Sequence, residues 1–282
     1  NGPMSATTDP HDRSLSRFYE AEMAEGQSLY FTLEGGRLRP RPAQRRWLEA
    51  HREATLRLLD PQPGERFLDM GCGEGWLTLP LAARAGTTVA LDLATSALAL
   101  LARQPAPPPR LLLAAAPGDA LPLPDGSVDV ALCNHVLEHV PDDDAVLREA
   151  ARVLRPGGRM VIGLPLERGP LVRALIRLRR LLRPHARPLQ LERVEAGRLV
   201  PELLGRQNHV RFYDWPAVEA LLARAGLRLL RVEGIGFGLP RPLRDGVRRS
   251  APLFALSRAV GRRSPAWADG LLVLVEKVAH EG

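Results

Sequence analysis

Apolar positions change their period several times along this chain, and each change predicts an element. From Ala43 to Leu59 they fall at Trp47, Leu48, Ala54, Leu56 and Leu59, the spacing of an amphipathic helix. Asp60-Pro61 and Pro63-Gly64 then break that helix. Short apolar runs follow, alternating with helical stretches. They predict strands at Arg66–Met70, Thr88–Asp92, Arg110–Ala115, Val128–Asn134 and Arg159–Leu164. Helices are predicted at Gly75–Ala85, Ala94–Arg103 and Asp143–Leu154, the last stopping before Pro156-Gly157-Gly158. Further on come a helix from Trp215 to Ala225, a strand from Leu227 to Val232 and a closing strand from Leu271 to Lys277. Such alternation predicts an α/β fold, with a parallel, doubly wound sheet covered by helices on both faces.

Three segments stand outside the rhythm. Residues 1–42 are mixed and polar, with a helix predicted near 14–25, and read as an N-terminal helical lid. Residues 166–208 are helical and rich in arginine, and read as a substrate cap. Residues 234–264 read as an irregular basic insertion within a core made of 43–165 and 209–282. In the cap, Leu171, Val172, Leu175, Ile176 and Leu182 share one helical face, with Arg173, Arg177 and Arg180 elsewhere. That face suits an anionic membrane surface or a lipid-like or phosphorylated substrate.

Charge and cysteine usage change the picture little. The 282 residues carry a net charge of +7, almost all of the positive charge on arginine, with Lys277 the only lysine. A basic balance favours acidic partners and says nothing of fold. Cys72 and Cys133 fall at predicted strand ends and form no disulfide framework. The N-terminal stretch is polar, and no run reaches the apolar length needed to span a bilayer. The expectation is a cytoplasmic protein; its oligomeric state is not set by the sequence.

The chemistry concentrates in Phe67-Leu68-Asp69-Met70-Gly71-Cys72-Gly73-Glu74-Gly75, a buried strand breaking into a glycine-rich turn that opens a helix. Glycines let the backbone turn sharply and come close to a ligand, the geometry of a nucleotide site at the first βα turn. A pyrophosphate is disfavoured, because Asp69 and Glu74 would repel it. The G-x-G-x-G spacing also departs from the G-x-G-x-x-G of dinucleotide-binding oxidoreductases. A ligand bearing a sulfonium and an ammonium, as S-adenosylmethionine does, suits two carboxylates. About 20 residues beyond Gly71, the end of the second strand offers Asp92, followed by Leu93, for the ribose hydroxyls. After the third strand, Gly118-Asp119-Ala120-Leu121-Pro122 offers a carboxylate and a backbone N–H for an adenine. A turn or cap is the plainer role for Asp119.

Together these segments, with Val136-Leu137-Glu138-His139-Val140 and Arg152-Val153-Leu154-Arg155-Pro156-Gly157-Gly158, resemble the class I S-adenosylmethionine-dependent methyltransferases. The likeness lies with the group acting on small molecules such as quinones and natural products, and covers about residues 45–165. It implies a Rossmann-like sheet of seven strands with the last reversed. It implies Asp69, Gly71, Cys72 and Gly73 near the methionine moiety and Asp92 and Leu93 at the ribose. It further places Asp119 and Ala120 at the adenine and Asn134 at the methionine end. The implied activity is methyl transfer to oxygen or nitrogen, less readily carbon, of a small organic acceptor.

Such transfer depends mainly on alignment, and a general base matters for a weakly acidic hydroxyl. Candidate bases are His135 just past the fourth strand, His139 and His209. His139 belongs to a run common across the family and reads rather as a structural hydrogen-bonding residue. Some quinone-type relatives use the Glu-His pair to hold a divalent metal. No metal is expected here, since helical neighbours diverge and no further ligand cluster is evident. Tyr19, Tyr30 and Phe31 are candidates to close over the sulfonium. An RNA methyltransferase and a catalytically silent cofactor-binding protein are the alternatives. The first lacks an Asn/Asp-Pro-Pro-aromatic run at the fourth strand, where this chain has Cys133-Asn134-His135-Val136.

Overall fold

A computed structural model of the chain describes residues 31–34, 37–42, 44–104, 107–166, 170–183, 185, 197–198, 209–239 and 243–278. Its core is one seven-stranded sheet. The strands are β3 (Arg66–Met70), β4 (Thr87–Asp92), β5 (Leu111–Ala115), β6 (Val128–Asn134), β7 (Leu154–Pro165), β8 (Leu227–Ile235) and β9 (Gly270–Lys277). They lie in the order β5-β4-β3-β6-β7-β9-β8. All neighbours pair parallel except β9, which runs antiparallel to both β7 and β8. The order reverses between β3 and β6, and in open α/β sheets the crevice beyond such strand ends takes the ligand.

Alternation along the central strands covers both faces. Phe67, Val130, Leu132, Val161 and Leu272 face a layer containing α1 (Arg45–Leu59). Leu68, Met70, Ala131, Cys133, Met160, Ile162 and Val273 face α4 (Asp143–Val153) and α6 (Trp215–Arg224). Period-two side chains on a sheet buried from both sides explain why these strands read as near-continuous apolar runs. Between them, α2 (Thr78–Ala82) follows β3 and α3 (Thr95–Ala102) follows β4. Asp142 caps α4 by accepting from the Ala145 N–H at 2.8 Å. At the edge away from the crevice, Asp129 on β6 accepts from Arg66 on β3 at 2.9 Å and Arg155 on β7 at 2.8 Å.

Four differences from expectation have physical causes. Residues 31–34 and 37–40, assigned to a helical lid, pair antiparallel as β1 (Phe31–Glu34) and β2 (Arg37–Pro40). Their Phe-Thr-Leu run and the intervening Gly35-Gly36 are hairpin chemistry. Residues 234–264 hold two helices rather than irregular chain, α7 (Leu243–Arg249) and α8 (Ala251–Arg263). Their buried positions, Arg248, Phe254, Ser257 and Gly261, are mostly not apolar, which hid the helical period. The helix expected over 75–85 is confined to Thr78–Ala82, because the glycine turn extends further. Strand β7 starts at Leu154, five residues before expectation, pairing with Val128 across an irregularity between Val128 and Val130. Within residues 166–208, expected to form a cap, α5 (Pro170–Leu182) is helical; the rest is largely outside the described residues, as are the 14–25 helix, Tyr19 and Tyr30. No helix among the described residues is long and apolar enough to cross a membrane.

Candidate functional site

The turn after β3 is built by its glycines. Gly71, Gly73 and Gly75 have φ of 71°, 51° and 85°, in the left-handed region that side chains avoid. Gly71 and Cys72 donate to the Leu91 carbonyl at 2.8 and 3.0 Å, which roots the turn on β4. A Cβ on Gly71 would run into Val136, and one on Gly75 into Leu101. On Gly73 a Cβ would meet nothing within 4 Å. Its bare face therefore looks onto space rather than protein, and Gly73 is among the residues lining a cavity of about 290 Å³ at the strand ends.

Asp92 is the best-ordered carboxylate there. One oxygen accepts from the Gly73 N–H at 2.7 Å, the other from the Ala94 N–H at 2.8 Å. Each oxygen keeps acceptor capacity, and two adjacent acceptors match a vicinal diol. Asp69 lies deeper and accepts from the Thr78 hydroxyl at 2.7 Å. Burial, with a smaller push from Asp92, raises its pKa to about 7 despite that hydrogen bond. Asp92 is also raised, by burial above all. A cation seated between them would draw both back down. Glu74 lines the same cavity, as do Leu93, Gly118, Asp119 and Leu121. Ala120 does not; it is exposed beside the site, whereas Asp119, though exposed as well, borders the cavity.

Beyond this cradle the cavity is walled by Phe31, Trp47, Leu48, Trp76, Leu77 and several histidines. Asn134 ends β6 with a buried Oδ1 lacking a partner. A Cβ on Gly163 would collide with that oxygen, so only glycine on the neighbouring strand leaves it room. His135 follows with φ 55°, a rare conformation for a residue with a Cβ. Its N–H donates to the Gly163 carbonyl at 3.0 Å, and its Nδ1 lies 2.8 Å from Glu138 Oε1. Its Nε2 is buried without a hydrogen-bond partner. Glu138 is fully buried. Burial works to raise its carboxyl, but the imidazoles of His135 and His139 outweigh it and hold the pKa down at about 2. An ionised Glu138 accepts a hydrogen bond from Nδ1–H, which leaves Nε2 with the free lone pair.

His51 completes the cluster, its ring centre 5.6 Å from His135 and 5.0 Å from Trp47. Burial first, then the charge of His135, lowers its pKa well below the usual range and keeps it neutral. Sequence patterning singled out neither His51 nor Trp76, and marked Trp47 only as an apolar position of an amphipathic helix. The residues 136–139 form a turn, not a helix, so Glu138 and His139 converge. Their ligand atoms lie with one from His209 within 4.8 Å of one another, the third candidate metal ligand missing from the sequence reading. His209 is held there by the Val210 N–H, which donates to the Glu138 carbonyl at 2.8 Å. Arg211 donates to the carbonyls of Leu137, Val140 and Pro141, and the Tyr213 hydroxyl donates to Asp143 at 2.7 Å.

A family profile described as a methyltransferase domain matches residues 68–162, the span from β3 to β7 that carries the cradle. Residues 68–162 carry a methyltransferase domain. The demethylmenaquinone methyltransferase of Corynebacterium kroppenstedtii is 31% identical over 157 residues, 56% of this chain and 62% of that protein. The 27-O-demethylrifamycin SV methyltransferase of Amycolatopsis mediterranei is 34% identical over 128 residues, 39% and 45% of the two chains. The chain spans less than two thirds of the length of these curated relatives. The geranyl diphosphate C-methyltransferase of Streptomyces coelicolor, solved with Mg2+, geranyl diphosphate and S-adenosyl-L-homocysteine, has the same fold. Its TM-score is 0.60 at 14% identity, covering 97% of this chain and 100% of that one. The [4+2]-cyclase SpnF has it too, with a TM-score of 0.58 at 16% identity over 94% and 93% of the chains.

Proposed function

We propose that this methyltransferase moves the methyl group of S-adenosylmethionine to an oxygen or nitrogen, less readily a carbon, of a small organic acceptor. The observation that carries the reading is the cradle itself: an Asp92 carboxylate pinned by two backbone N–H groups, one of them that of Gly73, in a cavity also lined by Asp69 and Glu74. Two acceptors suit a ribose diol, and three carboxylates suit a cation far better than a phosphate. When bound, the cofactor supplies a methyl group already activated on a sulfonium.

Everything else falls to the chain. Asp92 and Leu93 hold the ribose, Asp119 faces the adenine edge, and Asp69 with Glu74 offsets the ammonium. Phe31, Trp47 and Trp76 wall an apolar chamber that excludes water and suits a flat organic acceptor rather than a phosphodiester chain. That favours a small molecule over RNA. His135 takes the acceptor's proton at Nε2, while Glu138 orients the ring and stabilises the imidazolium. His139 and His209 border the same chamber. Buried free Cys72 and Cys133 accord with a reducing cytoplasm, where we place the protein.

Calorimetry with S-adenosylmethionine and with S-adenosylhomocysteine tests the reading; binding of neither would end it. Asp92→Ala should weaken either ligand by about 1–3 kcal/mol while the melting temperature stays close to that of the parent. An unchanged affinity would mean the ribose sits elsewhere.

A further inference from the structure

Two helices outside the catalytic cradle turn their apolar stripes to the solvent. A surface helix ordinarily packs that stripe inward. In α5 the half-covered positions are Arg173, Ile176 and Arg179, and Arg173 pairs with Asp214 at 3.5 Å. The outward positions are Leu175, Leu178 and Leu182, spaced three and four apart, with Leu178 and Leu182 50% and 72% exposed. Leu181 beside them is more exposed still. Helix α8 repeats the arrangement. Phe254, Ser257 and Gly261 face inward, while Leu253, Leu256 and Val260 face out, Leu256 being 64% exposed. Both helices touch the short turn Pro265–Trp267, whose Trp267 is itself exposed. Neither helix contains an Asp or Glu, and Arg177, Arg180, Arg183, Arg262 and Arg263 are exposed on or just after them.

We propose that the outward faces of α5 and α8, with Trp267 at their junction, dock this protein onto an anionic lipid bilayer. Exposed leucine stripes bordered by arginines gain from insertion at the headgroup boundary and from attraction to acidic lipids together. A tryptophan at the edge, apolar with one polar N–H, prefers that same boundary. A second copy of the chain would bring arginine against arginine, and a nucleic acid would leave the leucines unrewarded. The net charge of +7 acts in the same direction. Helix α5 leaves the sheet at the end of β7, and α7–α8 leave at the end of β8, strands that both run antiparallel to β9. Their carboxyl ends therefore lie on the edge where the cavity opens, and docking sets the cavity mouth near the bilayer. The inference needs no methyl transfer to hold.

Sedimentation of the full chain with vesicles of phosphatidylcholine, with and without phosphatidylglycerol, is the test. The protein should pellet with the phosphatidylglycerol vesicles, less so as salt rises, and remain in solution with phosphatidylcholine alone. Leu178→Gln with Leu182→Gln, and separately Leu256→Gln, remove apolar area without adding charge at exposed positions. They should cut the bound fraction on the order of tenfold with an unchanged melting temperature. Three results would overturn the proposal: no binding of the parent chain to acidic vesicles, equal binding by the glutamine variants, or conversion of a dimer to a monomer by those variants.

Discussion

His135, the proposed base, combines three unusual features in one residue. Its backbone sits at φ 55°, its Nδ1 is bound by a buried Glu138, and its Nε2 has no partner. A strained residue next to a functional cavity persists because the surrounding bonds overdetermine it. Asparagine tolerates that backbone, so His135→Asn isolates the loss of the imidazole. We expect kcat to fall by about 10²–10⁴ with cofactor affinity within about twofold, read from steady-state kinetics and calorimetry. Asp69 carries a second, pH-linked prediction. Its folded pKa of about 7 lies above the ordinary carboxylate value of 3.8. Between those values the folded chain holds a proton that the unfolded chain has lost, so its contribution to stability declines as pH rises through that window. A bound cation reverses the preference. Affinity for S-adenosylmethionine should rise by up to about tenfold per pH unit below pH 7 and level off above it. Asp69→Asn should flatten that profile, and calorimetry at several pH values would show whether it does.

Among the elements, the turn after β3 separates folding from binding. Gly71 and Gly73 both require a left-handed backbone, yet their surroundings differ. Gly71→Ala meets Val136 and should cost about 2–4 kcal/mol of stability, strain and overlap together. Gly73→Ala meets no protein atom, so only the backbone term of about 1 kcal/mol applies, while its methyl enters the cradle and weakens the cofactor more than it weakens the fold. Denaturant melts beside binding isotherms distinguish the two, and equal effects on both quantities would refute the geometry. This difference was not legible beforehand. The glycine pattern marks a turn, but which glycine faces protein and which faces ligand depends on Val136, far along the chain. The central strands β3 and β6 were legible to the residue, because Phe67 to Met70 and Val128 to Cys133 are covered on both faces and read as near-continuous apolar runs broken by a single aspartate each. Helix α7 was not, since Arg248 is buried there by its pairing with Asp269 rather than by apolarity.

For the whole molecule, one returning segment assembles the far side of the site. Residues 209–213 are clamped onto the 137–143 turn. Arg211 does so through three carbonyls and Tyr213 through Asp143. Burial pushes the Tyr213 hydroxyl well above its usual range, so it stays a donor. Tyr213→Phe leaves Asp143 short of one buried donor and should cost about 1–3 kcal/mol in a thermal or denaturant melt. Because the cradle lies on β3 and β4, cofactor affinity should stay within about twofold, whereas turnover should drop as His209 loses its place. A loss of cofactor binding of the same size would show the two halves of the cavity to be coupled.

The linear order of residues was enough to establish the doubly wound sheet, the glycine turn and the carboxylates Asp69, Asp92 and Asp119, because each follows from local patterning: period, turn chemistry and a charge at a strand end. Long-range packing alone decided the convergence of His51, His135, His139 and His209, the room Gly163 leaves for Asn134, and the outward turn of the α5 and α8 leucines. Those features join residues from distant elements, and no local pattern records which side of a helix the rest of the molecule covers.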